Sequence, residues 1–205
     1  MRYGSLLAAS ALAAFALGAQ AGTITYDSQT AFTAAASGVT TYIFPAPSTP
    51  PFVAVPSPYT MGPLTFTSDP LFLVNDNAYK TGNPYLDAFP TDGLAISLAG
   101  ATALAFDIGS FAGQSVTFTV DANGVLAGTF TTPGGPVPVF FGITSSDPIT
   151  SLTLTENDQG FQNEIDILKS QVGSAAATPE PSTIALLCTG LLGMAGATKR
   201  RFSRS

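Results

Sequence analysis

Between residues 22 and 173 the chain sets short apolar runs between clusters of Gly, Pro, Asn, Asp and Ser. Such spacing predicts an all-β fold. Strands are expected at Thr23–Tyr26, Val39–Phe44, Leu64–Thr67, Leu71–Val74, Leu94–Leu98, Ala103–Ile108, Val139–Ile143, Ser151–Thr155 and Asn163–Leu168. The clearest signal is a hairpin, Ser115–Asp121 followed by Val125–Phe130. Val116, Phe118 and Val120 alternate with Thr117 and Thr119, giving one buried and one polar face. Asn123-Gly124 between the two runs supplies the positive φ of a tight turn. One helix is expected, Ser28–Ala36, capped by Asp27 or Ser28. Pro45–Pro58 holds six prolines and reads as a loop or extended edge. Asn75–Asp92 reads as a long polar loop. About ten strands in this length predict a two-sheet, jelly-roll-like β-sandwich with one short N-terminal helix.

The pattern changes at both ends. Arg2 precedes the apolar run Leu6–Leu17, and Ala19-Gln20-Ala21 is an A-x-A site, so residues 1–21 read as a signal peptide cut before Gly22. Residues 174–181 form a linker that ends in Pro179-Glu180-Pro181. Residues 182–198 are apolar and uncharged, close to the shortest transmembrane helix. Residues 199–205 then carry Lys199, Arg200, Arg201 and Arg204, a basic end that favours the cytoplasmic side.

Pro-Glu-Pro, one short span and a terminal basic cluster together resemble the PEP-CTERM sorting signal of Gram-negative bacteria that make exopolysaccharide. That resemblance implies export, transient anchoring in the inner membrane, and processing by an exosortase near the tripeptide. Pro179, Glu180 and Pro181 would be the recognition residues, and Lys199, Arg200, Arg201 and Arg204 the stop-transfer cluster. The product would go to the cell surface or extracellular matrix. The prolines keep the site extended, and the span raises its effective concentration at the processing enzyme. The body is similar to one that recurs ahead of this tail, through ITYDSQTAFTAAA (24–36), LAFDIGSF (104–111), FFGITSSDPITSLTL (140–154) and EIDIL (164–168). It implies a β-sandwich and export. The closing strand of that body often carries Asp-Asn before an aromatic; here it reads Ile165-Asp166-Ile167.

Charge narrows the partners. Lys80 and Lys169 are the only basic residues between 22 and 178, against twelve acidic ones, a net charge of about −10. Nucleic acid is excluded as a partner, since phosphate binding needs a basic patch. The chain has no His, and its one cysteine, Cys188, lies in the tail. Ser-His-Asp, Cys-His and His-zinc chemistry are therefore absent.

Carboxylates remain. A glycosidase needs two at a defined separation, and among Asp76, Asp87, Asp92, Asp107 and Glu164 the sequence pairs none. Calcium takes six to eight oxygens from such groups; Asp76, Asp107 and Asp166 are the candidate ligands, although Asn75-Asp76-Asn77 also reads as a turn held by its own side chains. Tyr79 and Tyr85, and Tyr59 near them, are candidate stacking surfaces for a sugar. Phe66, Phe72, Phe106, Phe118, Phe140 and Phe141 read as core. The reading is a non-enzymatic, exported β-sandwich with a structural, adhesive or glycan-binding role, its partners an exosortase and extracellular polysaccharide. The alternative is a calcium-assisted carbohydrate-active enzyme.

Overall fold

The computed structural model describes residues 22–47, 51–89, 93–110, 115–133, 135–157 and 164–176. Gly22–Ala176 is one compact unit. The expected signal peptide, Pro-Glu-Pro site, transmembrane helix and basic tail lie outside the described residues. Among those described, no helix is long and apolar enough to cross a membrane.

Among the described residues twelve strands and one helix form, in the order β1 (Thr23–Tyr26), α1 (Gln29–Ala35), β2 (Ala36–Ile43), β3 (Phe52–Val55), β4 (Tyr59–Met61), β5 (Leu64–Thr67), β6 (Leu71–Val74), β7 (Tyr85–Ala88), β8 (Leu94–Gly109), β9 (Val116–Ala122), β10 (Val125–Thr132), β11 (Val139–Glu156) and β12 (Ile165–Ala175). The fold is all-β, consistent with a β-sandwich. One hydrogen-bonded path runs β10-β9-β11-β8-β12-β7-β6-β3, with β1 on β11, β2 on β12, and β4–β5 joined to β8.

Local chemistry accounts for the parts that follow expectation. Ser28 caps α1, its Oγ accepting from Ala31 N at 3.4 Å, and Phe32 on the helix is fully buried. In the β9–β10 hairpin, Val116, Phe118 and Val120 are buried while Thr117 and Thr119 are half-buried. Asn123 (φ 53°) and Gly124 (φ 77°) make the turn in the left-handed region. The Asn123 side chain also fastens β11: its Oδ1 accepts from Thr150 N (2.9 Å) and Ser151 N (3.2 Å), and its Nδ2 donates to the Pro148 carbonyl (3.0 Å).

Other segments differ. Two pairs of expected strands are each a single long one, β8 and β11. They pair with each other along both halves, with register shifts between Thr144 and Ser151. Pro148 falls at this irregularity, where a missing N–H disturbs no ladder bond. The two halves have different outer neighbours. The first half of β8 meets β5, and its second half meets β12. The first half of β11 meets β1, and its last residues meet β9. β12 continues through Ser174 and Ala175, expected in the linker, because β2 pairs with them.

The polar stretch 75–92 contains a strand, β7, all four residues of which are buried. It pairs β12 on one edge and β6 on the other. The main core draws on both halves of β8 and β11, with Leu94, Ile96, Phe106, Ile108, Phe118, Phe141, Ile143, Leu152 and Leu154 among its members. Each such fully buried side chain contributes roughly 1.5–3 kcal/mol. Phe66, Phe106, Phe118 and Phe141 are buried as expected. Phe140 is half-buried and packs on Phe32. Phe72 is half-buried on the other side of the sheet, where the candidate site lies.

Candidate functional site

Period-two alternation sends one set of side chains from β6, β7 and β12 into the main core: Leu71 and Leu73, Leu86 and Ala88, Ile165 and Ile167. The residues between them, Phe72 and Val74, Tyr85 and Asp87, Asp166 and Leu168, therefore share the opposite face. Antiparallel register sets them in rows. Asp166 stands across from Asp87, and Asp87 across from Phe72. In the next row Tyr85 stands across from Val74, and Val74 across from Phe52 of β3. Two carboxylates directly opposite on one face is an arrangement that costs stability when both are charged.

Glu164, just before β12, completes a cluster. One carboxylate oxygen from each of Asp87, Glu164 and Asp166 lies within 4.8 Å of the others, and all three residues are buried. Asp166 is fully buried. The Tyr79 hydroxyl donates to Asp166 Oδ2, while Asp166 Oδ1 and Asp87 Oδ1 have no hydrogen-bond partner among the described residues. Burial, with Glu164 and Asp76 adding their negative charge, pushes the Asp87 carboxyl up to about 8. Burial first and Asp87 second raise Asp166 well above the usual carboxylate range. Burial and neighbouring Asp166 likewise raise the phenols of Tyr79 and Tyr85.

A glycine makes room for this arrangement. Gly109 of β8 stands across from Asp166 on the other edge of β12. The Tyr79 ring lies where a Cβ on Gly109 would be, so the absence of a side chain there lets the phenol reach the carboxylate. Tyr79 packs edge-on to Tyr85, ring centroids 5.2 Å apart, in a small second core with Val74 and Leu168.

The cluster opens on a cleft of about 350 Å³. Asp76, Asp87, Glu164 and Tyr85 line its polar side, and Phe52, Phe72, Val74 and Phe89 its apolar side. Phe52 meets Phe72 edge-on, and Phe72 meets Phe89 edge-on, each pair with centroids 6.0 Å apart. Phe52 is 59% exposed at the rim.

The structure separates the three residues expected as calcium ligands. Asp166 is at the centre of the cluster. Asp76 lines the cleft but accepts from Ala78 N (2.9 Å) and from the Tyr85 hydroxyl (3.3 Å), the self-stabilised turn its sequence suggested. Asp107 is engaged elsewhere, in a 2.8 Å salt bridge to Lys169, since it pairs with that residue across β8–β12. Asp87 and Glu164, weighed from the sequence as possible acid pairs, are the residues that join Asp166. Tyr79 and Tyr85 are buried, at 6% and 4% exposure. Their hydroxyls donate to carboxylates, Tyr79 to Asp166 and Tyr85 to Asp76, and phenylalanine supplies most of the cleft's aromatic surface. An Asp inside the run Tyr85-Leu86-Asp87-Ala88-Phe89, flanked on both sides by residues fit for a strand, was the signal available for Asp87.

Comparison with known proteins identifies the end of the chain. The family described as PEP-CTERM protein-sorting motif matches residues 177–201. The chain carries a PEP-CTERM sorting motif. Such a motif implies an extracytoplasmic protein processed by an exosortase. Ahead of the PEP-CTERM motif, the β-rich body is similar to solved structures only distantly. One is the CBM36-1 domain of a multidomain xylanase from the hindgut metagenome of Trinervitermes trinervoides, with 17% identity over 45% of this chain and 79% of that one, at a TM-score of 0.34. Another is the CBM51-2 and INT domains of Clostridium perfringens ZmpB, with 11% identity over 57% of this chain and 24% of that one, at a TM-score of 0.31. A family two carbohydrate esterase from Cellvibrio japonicus gives 10% identity over 69% and 36%, at a TM-score of 0.35. Likeness at this level carries no functional argument. No curated protein sequence matches the chain.

Proposed function

We propose that this protein is exported, held briefly in the inner membrane by residues 182–198, and released to the cell surface or matrix after an exosortase acts near Pro179-Glu180-Pro181. There its β body binds extracellular polysaccharide without turning it over. The sorting half of this reading is supported by the PEP-CTERM motif at 177–201. The binding half is supported by one observation, the cleft that places a row of phenylalanines beside carboxylates. Sugar rings pack their C–H faces on aromatic rings while their hydroxyls donate to carboxylates, so a site for them needs both surfaces together. Clefts with a few convergent polar groups on an apolar wall are the usual form of such sites.

The rival is a glycoside hydrolase using Asp87 and Asp166. One feature weighs against it. Asp166 is fully buried beneath Tyr79, out of a substrate's reach.

The test is a pull-down of the purified protein on the polysaccharide of its producing strain, with Phe72→Ser and Phe52→Ser beside it. Retention that both variants lose, without release of reducing ends, is the expected result. Release of reducing ends that Asp87→Asn abolishes would establish the enzyme instead.

A further inference from the structure

We infer that Asp87, Glu164 and Asp166 form a calcium site at the floor of the cleft. Three observations carry this. The three carboxylates, from β7 and the start of β12, converge to within 4.8 Å of one another in a buried position. Asp166, fully buried, and Asp87, 8% exposed, each keep an oxygen that no hydrogen bond from the described residues reaches. Buried polar atoms are satisfied in the great majority of cases, and an orphan calls for a ligand that the protein chain does not supply. Finally, among the described residues no basic side chain answers for these two carboxylates. Of the two cations between residues 22 and 178, Lys169 is held by Asp107 and Gln29, and Lys80 is exposed.

The donor set decides the ion. Three carboxylates and no His or Cys make an all-oxygen site, which suits a hard cation and not zinc or copper. Calcium accepts six to eight oxygens in flexible geometry and takes carboxylates in bidentate fashion. Magnesium demands a near-ideal octahedron and gives up water reluctantly, which a buried cluster penalises. A divalent ion also removes the repulsion between two Asp residues set directly opposite on one face. Asp87 and Glu164 line the cleft, so the ion has a way in from solvent. Tyr79 and Gly109 would then be positioning residues, the phenol holding Asp166 Oδ2 so that Oδ1 is left for the ion. The inference stands whether or not the cleft takes a polysaccharide.

The experiment uses the full chain in mild detergent, stripped of metal with a chelator. Calcium chloride is titrated by calorimetry, and terbium chloride by luminescence excited through tyrosine. The expected result is one calcium per chain, and terbium emission that calcium quenches and magnesium at equal concentration does not. Asp87→Asn and Glu164→Gln, milder than a change at the fully buried Asp166, should each weaken calcium binding roughly tenfold or more. Tyr79→Phe should dim terbium emission, because its phenol lies on a ligand, while one calcium still binds. Absence of calcium binding by the unaltered chain, equal competition by magnesium, or binding that Asp87→Asn and Glu164→Gln leave unchanged would each overturn the inference.

Discussion

Gly109 offers the sharpest test of how the cleft face is built. A methyl group there would run into the Tyr79 ring, and Gly109 itself has no positive φ, so Gly109→Ala is a purely steric perturbation. Forcing a methyl into a filled position costs roughly 1–3 kcal/mol. If the ring is pushed out, its hydrogen bond to the Asp166 carboxyl is lost as well, about 0.5–1.5 kcal/mol. Against this, Ala in place of Gly within a strand gains roughly 0.5–1 kcal/mol. The net expectation is a destabilisation of about 1–3 kcal/mol, or roughly 2–12 °C in Tm at this chain length. The assay is urea and thermal unfolding of four chains in metal-free buffer: the unaltered protein, Gly109→Ala, Tyr79→Ala, and the double variant. Once the ring is gone, Gly109→Ala has nothing to hit and should be neutral or slightly stabilising. An equal cost of Gly109→Ala with and without the Tyr79 ring would show that the two do not interact, and would refute the packing argument.

Three other outcomes follow from the same geometry. In metal-free buffer, stability should fall as pH rises: Asp87 gives up its proton near 3.8 when unfolded and near 8 when folded. The folded chain therefore holds a proton that the unfolded chain has lost, so the stability is fully present below the lower value and gone above the upper one. Urea midpoints that climb across this window would contradict the burial of Asp87. Asn123→Ala should lose four hydrogen bonds and a favoured left-handed residue, costing about 2 kcal/mol, read as a lower urea midpoint with an unchanged slope. Mass spectrometry of the protein recovered outside the cell should find residues 182–205 missing, and Pro179→Ala with Pro181→Ala should leave the full-length form in the membrane fraction.

What the sequence disclosed depended on whether the signal was local. The β9–β10 hairpin was legible because Val116, Phe118 and Val120 alternate with threonines and Asn123-Gly124 dictates the turn. Helix α1 was legible because Ser28 caps it. β7 was not, because Asp87 sits inside it and turn-forming residues precede it; a strand buried on both faces does not alternate, and a buried acid imitates a loop. β8 and β11 looked broken at Gly100 and Pro148, but each continues as one strand through a register shift, with Gly100 at a positive φ of 94°.

The same limit governs the site. Period two tells which residues of β12 share a face, not which strand lies beside it. Asp107 was the companion expected for Asp166 until the register placed Lys169 beside Asp107 and Asp87 beside Asp166. The dependence of Tyr79 on the missing side chain of Gly109, thirty positions along the chain, is a contact between distant segments that no local pattern encodes.

The central claim is that three buried carboxylates gather around an ion. Its most direct test is a crystal structure of the protein grown with calcium. The account predicts one strong density peak bounded by Asp87, Glu164 and Asp166, with oxygens at about 2.3–2.6 Å. Crystals grown in calcium in which these side chains instead hydrogen-bond to one another, with no ion among them, would contradict it.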